Sequence, residues 1–234
     1  MASYEEQVKR EVIRWKVQMK KRPGSFNKTT KKLQTKINSY IPEKVHHVIT
    51  ESVKKMIQGT LIGSEYTTKK KETPHFTLEE KEKGIMEKIQ FYKRTAAIEG
   101  AGTGARGFFL GLADFPLLLA IKMKLLFEMA SIYGLDINKY EERLYILQLF
   151  QLAFSSEERR IQVMDVVENW ESKKQELIDL DWRVFQQEYR DYIDLVKLFQ
   201  MVPVIGAAVG AYANYNLLDH LGTVAMNGYR LRLI

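Results

Sequence analysis

The chain lacks cysteine altogether and has only five prolines among its 234 residues. Without cysteine there is no disulfide, no thiolate metal site and no cysteine nucleophile, which fits a reducing compartment. The few prolines and the absence of low-complexity tracts argue against a disordered chain. No segment alternates apolar and polar residues with the period of a β-strand. The sequence therefore predicts a protein built from helices that no covalent cross-link supports.

A secretory signal is also missing, because the first residues contain no uninterrupted apolar run. We therefore expect the protein in the cytoplasm, where it is made. Acidic residues are scarce in the same region: residues 1–72 carry 17 lysines and arginines against 7 acids, whereas the remainder has a small acidic excess. A basic segment of this kind favours an anionic partner, either a phospholipid surface, an acidic protein or nucleic acid.

The first predicted helix is amphipathic. Its apolar stripe has residues three or four positions apart, namely Tyr4, Val8, Val12, Trp15 and Met19. The opposite side is basic, although Ile13 and Val17 interrupt it. Tryptophan flanked by cations suits an anionic membrane surface better than a nucleic-acid duplex. The residues predicted to face such a surface are Lys9, Arg10, Arg14, Trp15, Lys16, Lys20 and Lys21.

Composition divides the chain into three regions. Residues 1–62 form a basic helical region, and residues 63–77 form a linker rich in threonine and lysine with no apolar period. Residues 78–234 form a helical core. The predicted architecture is an all-α, multi-helix bundle in which two apolar, glycine-rich helices occupy the core.

Capping patterns locate several helix starts. Thr77 and Glu80 form a capping box that opens a helix extending to about residue 98. Asp136 is predicted to cap the nearly all-apolar helix that follows it. Ser155 and Glu158 form a second capping box.

Two apolar segments are the strongest helical signals, Leu112–Tyr133, which ends at Gly134, and Phe199–Leu218. Phe199–Leu218 has no charged residue and is long enough to cross a bilayer. The first segment contains Asp114, and a carboxylate at mid-bilayer costs roughly 2.5–3.5 kcal/mol. We favour two buried core helices over membrane spans, with the second segment the better candidate for insertion.

Glycines recur one helical turn apart, two pairs at the start of the first apolar helix and one pair in the last helix. These predicted helix-packing glycines are Gly100, Gly104, Gly107, Gly111, Gly206 and Gly210. Such pairs let another backbone approach closely. Two of these glycines, Gly104 and Gly107, together with Gly102 have the G-x-G-x-x-G spacing of a phosphate-binding loop. That loop requires a preceding strand, and the preceding residues have a helical pattern, so nucleotide binding is disfavoured.

Asp114 lies beside Phe115-Pro116 and needs an explanation if it is buried. One interpretation is structural: Pro116 interrupts the helix, and the carboxylate accepts hydrogen bonds there. The other is a titrating site. The candidate polar site consists of Asp114, Asn214, Asp219 and His220.

Catalytic and metal-binding patterns are absent. The four histidines form no H-E-x-x-H motif, and G-x-S-x-G does not occur. No nucleic-acid-binding motif accompanies the basic region. We therefore predict no catalytic residue, no metal, no cofactor and no nucleic-acid partner.

Two segments, "GAGTGARGFFLGLADFPLLLAIKMKLLFEMASIYGLD" and "PVIGAAVGAYANYNLLDHLGTVAMNGYRLR", resemble the EcsC protein family of bacteria. The shared pattern is a glycine-rich run, an aspartate-containing apolar helix ending in Tyr-Gly, and a late P-x-I-G-A-x-x-G turn. The N-terminal "YEEQVKREVIRW" and the region beginning "IPEKVHHVITESV" also resemble this family, so the likeness spans nearly the whole chain. The resemblance implies an association, through a shared operon, with an ABC transporter tied to secretion, and it implies no known activity or catalytic residue.

Three functions follow as hypotheses. The first is a non-enzymatic accessory protein, peripheral at the cytoplasmic membrane face, whose partners are anionic lipid or transporter subunits. The second is a carrier or sensor of an apolar or lipid ligand held between the core helices near Asp114. The third and least favoured is a hydrolase that uses Asp114 or His220.

Overall fold

The computed structural model describes residues 3–21, 43–63, 75–104, 114–180 and 207–234, together with Gln187 and Tyr189. Within these residues the chain forms eight helices and no strand, which confirms the predicted all-α bundle. In chain order they are α1 (Tyr4–Lys20), α2 (Glu43–Ile62), α3 (Leu78–Gly104), α4 (Phe115–Tyr133), α5 (Tyr140–Phe154), α6 (Glu157–Glu168), α7 (Trp170–Ile178) and α8 (Ala207–Leu233).

Helix α3 begins at the predicted capping box. The amide of Thr77 donates to Glu80 Oε2 over 2.8 Å, and the amide of Glu80 donates to Thr77 Oγ1 over 3.3 Å. The helix runs to Gly104, beyond its predicted end. Gly100 and Gly104 therefore belong to the end of α3, and their predicted position at the start of the apolar helix was wrong.

Helix α4 begins later than its apolar pattern predicted. Its first residue is Phe115, Asp114 is the N-cap, and Pro116 occupies the first turn. A proline there interrupts nothing, because amides of the first turn have no partner within the helix. The predicted end is confirmed: Gly134 adopts a left-handed conformation with φ 96° and closes the helix.

Two predicted caps were wrong. The carboxylate of Asp136 accepts from the amide of Asn138 at 3.2 Å and so shapes the turn before α5, which begins at Tyr140. Helix α6 is capped by Ser156, whose Oγ accepts from the amide of Arg159. Ser155 is buried and its hydroxyl donates back to the preceding helix, so it is not available as the cap.

The core is organised around α5 and α8. Helix α8 packs against α1, α3, α4, α5 and α6, most extensively against α3. Helix α5 contacts α2, α4, α6, α7 and α8 and is buried on almost every side, as its all-round apolar sequence predicted. The predicted stripe of α1 is confirmed, with Val8, Val12, Trp15 and Met19 all buried.

Two glycines of α8 allow close packing in the described part of the chain. A Cβ atom on Gly222 would lie 2.8 Å from Cδ1 of Ile89 on α3. A Cβ atom on Gly228 would lie even closer to Cδ2 of Leu149 on α5. Neither glycine was among the predicted ones. Of those, Gly100, Gly104 and Gly210 lie in described helices, and Gly107, Gly111 and Gly206 lie outside the described residues.

Arginine side chains cap the carboxyl ends of α1 and α2. Arg160 of α6 donates to the carbonyl oxygens of Met19 at 3.0 Å and Lys21 at 3.2 Å. Arg143 of α5 donates to the carbonyl of Leu61 at 3.0 Å. These bonds satisfy carbonyls that have no partner within their own helices, and they fasten both helices to the core.

Candidate functional site

The buried lysines and the buried arginine among the described residues, Lys93, Lys122 and Arg230, lie on α3, α4 and α8. Helix α3 is antiparallel to α8, because Glu82 near its start contacts Arg230 and Lys93 farther along contacts Asp219. Helix α4 is parallel to α8, since its first half contacts the start of α8 and its last turn contacts the end. The three helices therefore meet at two levels, which we call ends, and each level contains at least one buried cation.

The first end is built on a paired charge, and we refer to Glu82, Tyr133 and Arg230 as the arginine end. Arg230 donates to Glu82 Oε1 at 2.7 Å through Nε and to Oε2 at 2.6 Å through Nη2. Glu82 is only 2% exposed and also accepts from the Tyr133 hydroxyl at 3.2 Å. Desolvation lowers the pKa of Arg230, but the hydrogen bonds and charge of Glu82 outweigh it and raise that pKa. The bidentate pair fixes α3 to α8.

Helix α1 is joined to the arginine end. The Tyr4 hydroxyl donates to Glu82, and Arg230 Nη1 donates to Glu11 Oε2 at 3.0 Å. Burial, followed by the hydrogen bond to Glu82, raises the pKa of Tyr4 to about 12. The hydroxyl remains a donor at neutral pH, so these contacts hold the amino-terminal half of α1 on the bundle.

The second end contains a cation without a charged partner. Lys122 on α4 is 0% exposed. Its Nζ donates to Asn214 Oδ1 at 3.3 Å and to the Leu118 carbonyl at 3.5 Å, both uncharged oxygens. Burial lowers the pKa of Lys122 to about 7. Fully buried lysines are rare unless they are paired, and no carboxylate among the described residues pairs with this one.

A second buried lysine, Lys93 on α3, also contacts α8 and has a charged partner there. Lys93 Nζ on α3 is 2.5 Å from Asp219 Oδ1 and 4.1 Å from the ring centre of Tyr215. The lysine is buried, whereas the Asp219 side chain is 54% exposed. Desolvation lowers the pKa of Lys93, but its bonds to Asp219 and Tyr215 outweigh this and raise it. We refer to Lys93, Lys122, Asn214 and Asp219 as the lysine end.

The predicted polar site is only partly assembled. Asn214 and Asp219 both belong to the lysine end. His220 is directed to α5, with Nε2 3.2 Å from the carbonyl oxygen of Ala153. Asp114 precedes α4, is partly buried and makes no side-chain capping bond. Asp219 contacts α3 and His220 contacts α5, so the structure does not support a joint titrating site. Asp114 lies at the N-terminus of α4, where a carboxylate interacts favourably with the helix dipole.

Sequence reasoning missed Lys122, although a signal for it was present. Its neighbours one turn away on α4 are all leucines, namely Leu118, Leu119, Leu125 and Leu126. A lysine surrounded in this way must be buried wherever the helix turns that face to the core. The pairing of Glu82 with Arg230 has no such signal, because 148 residues separate the two.

The outer face of α1 differs from the prediction in one residue. Trp15 is only 8% exposed and packs into the core, so it is not available to a membrane in this structure. Ile13 and Val17 are 61% and 57% exposed on the opposite side. The cations exposed around them are Lys9, Arg10, Arg14, Lys20 and Lys21. Lys16 and Lys20 also form ion pairs with Glu168 of α6.

Metal sites and membrane spans are not found among the described residues. No three histidine or acidic side chains there come together as a metal site would require. None of the described helices combines the length and apolar character needed to traverse a bilayer.

These features define a helical bundle with three buried cationic side chains. The chain belongs to the EcsC protein family, whose profile matches residues 6–234. It is 51% identical over 224 residues to "Protein EcsC" of Bacillus subtilis (strain 168), covering 96% of this chain and 94% of that protein. It is also 32% identical over 143 residues to "Uncharacterized protein YdbA" of the same organism, covering 59% of this chain and 53% of that protein. No solved structure matches the chain. The resemblance found in the sequence is confirmed.

Proposed function

We propose that this EcsC-family protein is a non-enzymatic accessory protein that binds the cytoplasmic face of an anionic membrane and assists an ABC transporter there. The link to a transporter comes from the family resemblance. The attachment to lipid is argued from the outer face of α1.

The exposed pair Ile13 and Val17 is the observation that supports membrane attachment. Both lie on the side of α1 opposite its buried stripe, and five exposed lysines and arginines surround them. Interfacial helices bind anionic bilayers by inserting a few apolar side chains while cations contact the headgroups. Cations close to such a surface contribute about 1 kcal/mol each. The basic pI of 9.3 adds long-range attraction to the same surface.

Co-sedimentation with vesicles tests this attachment. The protein is mixed with vesicles of phosphatidylcholine containing 30% phosphatidylglycerol, and with pure phosphatidylcholine vesicles, at low salt and in 0.5 M NaCl. We expect pelleting only with the anionic vesicles and its loss at high salt, because the cations bind through screened electrostatics. Equal pelleting with both vesicles, or none at low salt, would contradict the proposal.

A paired variant assigns the effect to α1. Replacing both Ile13 and Val17 by serine should weaken binding, while the matched replacement of Phe91 and Ile98 by serine should not. Phe91 and Ile98 are similarly exposed but lie on α3. The transporter link is tested separately, by asking whether the tagged protein co-purifies subunits of an ABC transporter.

The second candidate function is carriage or sensing of an apolar ligand between the core helices. The observation that favours it is Lys122, a fully buried lysine whose neighbours one turn away on α4 are all leucines. Ligand pockets combine apolar walls with a few placed polar groups in this way. The predicted anchor Asp114 is replaced in this proposal by Lys122.

A further inference from the structure

Lys122 is the one fully buried cation among the described residues that has no charged partner. Its two acceptors, at 3.3 and 3.5 Å, are an amide oxygen and a backbone carbonyl, neither of which carries a charge. A buried ammonium without a counter-ion is costly, and buried charges elsewhere in proteins are paired. The chain avoids this cost twice, at Arg230 with Glu82 and at Lys93 with Asp219. Lys122 is therefore the position where an external anion is most needed.

The surroundings of Lys122 are apolar on α4 and α8. The leucines one turn before and after it on α4 are at most 1% exposed, as are Leu218 and Leu221 on α8. A small inorganic anion would make no favourable apolar contact with these leucine side chains. A ligand that carries an apolar chain behind its charged group would match both the cation and its surroundings.

Helix α3 has little side-chain volume at this level. Extending the antiparallel register from Lys93 and Asp219 by five residues places Asn214 level with Ile98. The facing stretch of α3 reads "AAIEGAGTG" from Ala96 to Gly104 and is mainly alanine and glycine. Small residues in a helix allow a neighbouring backbone to approach closely, so the apolar side chains around Lys122 come mainly from α4 and α8.

We propose that the lysine end binds an anionic amphiphile, with Lys122 holding its single carboxylate or phosphate group and the seam between α4 and α8 holding its acyl chain. The inference rests on the second candidate function and names its ligand class. An ammonium has three donors, and the two contacts to Asn214 and Leu118 leave one for an oxygen of the ligand. Lys93 is already neutralised by Asp219, so Lys122 is the anchor.

Calorimetric titration of the full-length protein with laurate, dodecyl phosphate and dodecanol, each below its micelle concentration at pH 6.5, tests the proposal. The two anions should bind about tenfold or more tightly than the alcohol, because a charged hydrogen bond is added to the same apolar contact. The carboxylate and phosphate arms identify the preferred head group.

Two lysine variants locate the effect. Lys122→Met keeps the length of the side chain and should remove the preference for anions, leaving dodecanol binding within twofold of wild type. Lys93→Met is the matched control, a buried lysine with its own counter-ion, and it should retain the preference. Thermal unfolding of each variant verifies that it is folded, and the preference in the wild type is read without any variant.

The outcomes separate the two proposals. If anions and dodecanol bind the wild type equally, the assignment of Lys122 is overturned while ligand carriage stands. If none of the three probes binds, carriage falls as well. An anion preference that survives in Lys122→Met also overturns the assignment. None of these outcomes changes vesicle binding by α1, which uses a different face.

Discussion

The arginine end and the lysine end each bury a cation among α3, α4 and α8, but they compensate its charge differently. At the arginine end, Arg230 is buried against Glu82 with two hydrogen bonds of 2.6 and 2.7 Å. At the lysine end, Lys122 is buried completely, and its acceptors among the described residues are neutral oxygens. Burial penalises both cations. The carboxylate raises the pKa of Arg230 above its usual value, whereas the pKa of Lys122 falls to about 7.

The difference separates a structural role from a functional one. A paired and fully hydrogen-bonded charge fixes how helices pack, and α1, α3, α4 and α8 all meet at Glu82 or Arg230. An unpaired buried charge destabilises the fold, and such perturbed groups cluster at sites that bind or react. We therefore expect substitutions at the two ends to change stability in opposite directions.

The largest effect is expected for Glu82→Gln. Glutamine keeps the shape of the side chain but leaves the buried Arg230 without its main counter-charge. Breaking a buried pair in this way costs about 3–5 kcal/mol of unfolding free energy, and we expect the lower value because Glu11 still contacts Arg230. Urea unfolding followed by circular dichroism measures the loss.

Glu87→Gln on the exposed side of α3 is the control for Glu82→Gln. It should change the unfolding free energy by no more than about 0.5 kcal/mol. A loss below 1 kcal/mol for Glu82→Gln would show that the arginine end does not fasten the bundle.

Lys122→Met should act with the opposite sign. Removing a buried charge without a partner is expected to stabilise the protein by about 1–4 kcal/mol at pH 6, where Lys122 is protonated in both states. The same urea measurement checks it. Lys93→Met is again the comparison, and it should not stabilise the protein because it breaks an ion pair.

The pH dependence of the wild type sharpens this prediction. The pKa of Lys122 is about 7 in the folded protein and 10.5 in a free side chain, so between these values the unfolded state binds more protons. Unfolding free energy therefore rises with pH across that window, by at most about 1.4 kcal/mol per pH unit, and is lowest below pH 7. The wild type minus Lys122→Met difference isolates this term. A difference that stays constant from pH 6 to 9.5 would contradict it.

Gly222 tests how closely α3 and α8 must approach between the two ends. In Gly222→Ala the new methyl group would lie 2.8–3.2 Å from three atoms of Ile89, which is buried and β-branched. We expect a loss of about 1–3 kcal/mol from overpacking. Gly84→Ala is the matched control, because nothing lies within 4 Å of its Cβ position. That change should stabilise α3 by about 0.5–1 kcal/mol. Equal effects at both glycines would show that the seam is not tightly packed.

Local patterns predicted most of the fold. The stripe of α1, the cap at Thr77 and the stop at Gly134 depend on residues within a turn or two of each other, so they can be identified without tertiary structure. The caps at Asp136 and Ser155 failed where a neighbouring residue offered a better bond. Packing decides which of two neighbouring residues caps a helix, and the periodicity of the sequence carries no information about that packing.

The candidate site was less predictable for a related reason. Which glycines allow close packing depends on what lies opposite, and Gly222 faces Ile89 from 133 positions away in the chain. Trp15 was expected at a membrane because its neighbours are cations, yet those cations point away from it on the helix. Lys122 could have been found from its four leucine neighbours alone.

The smallest effect is expected for Asp219→Asn, which tests whether the position of the counter-ion decides its importance. Lys93 is as deeply buried as Arg230, but its partner Asp219 is 54% exposed and the Tyr215 ring also faces the ammonium. Solvent screens a half-exposed carboxylate, and such pairs contribute about 0–1 kcal/mol. Thermal or urea unfolding should therefore show a loss below 1 kcal/mol. A loss as large as that of Glu82→Gln would mean that burial of the cation alone, and not burial of both partners, decides how much the ion pair stabilises the fold. Lys122 would then need a counter-ion for the protein to be stable.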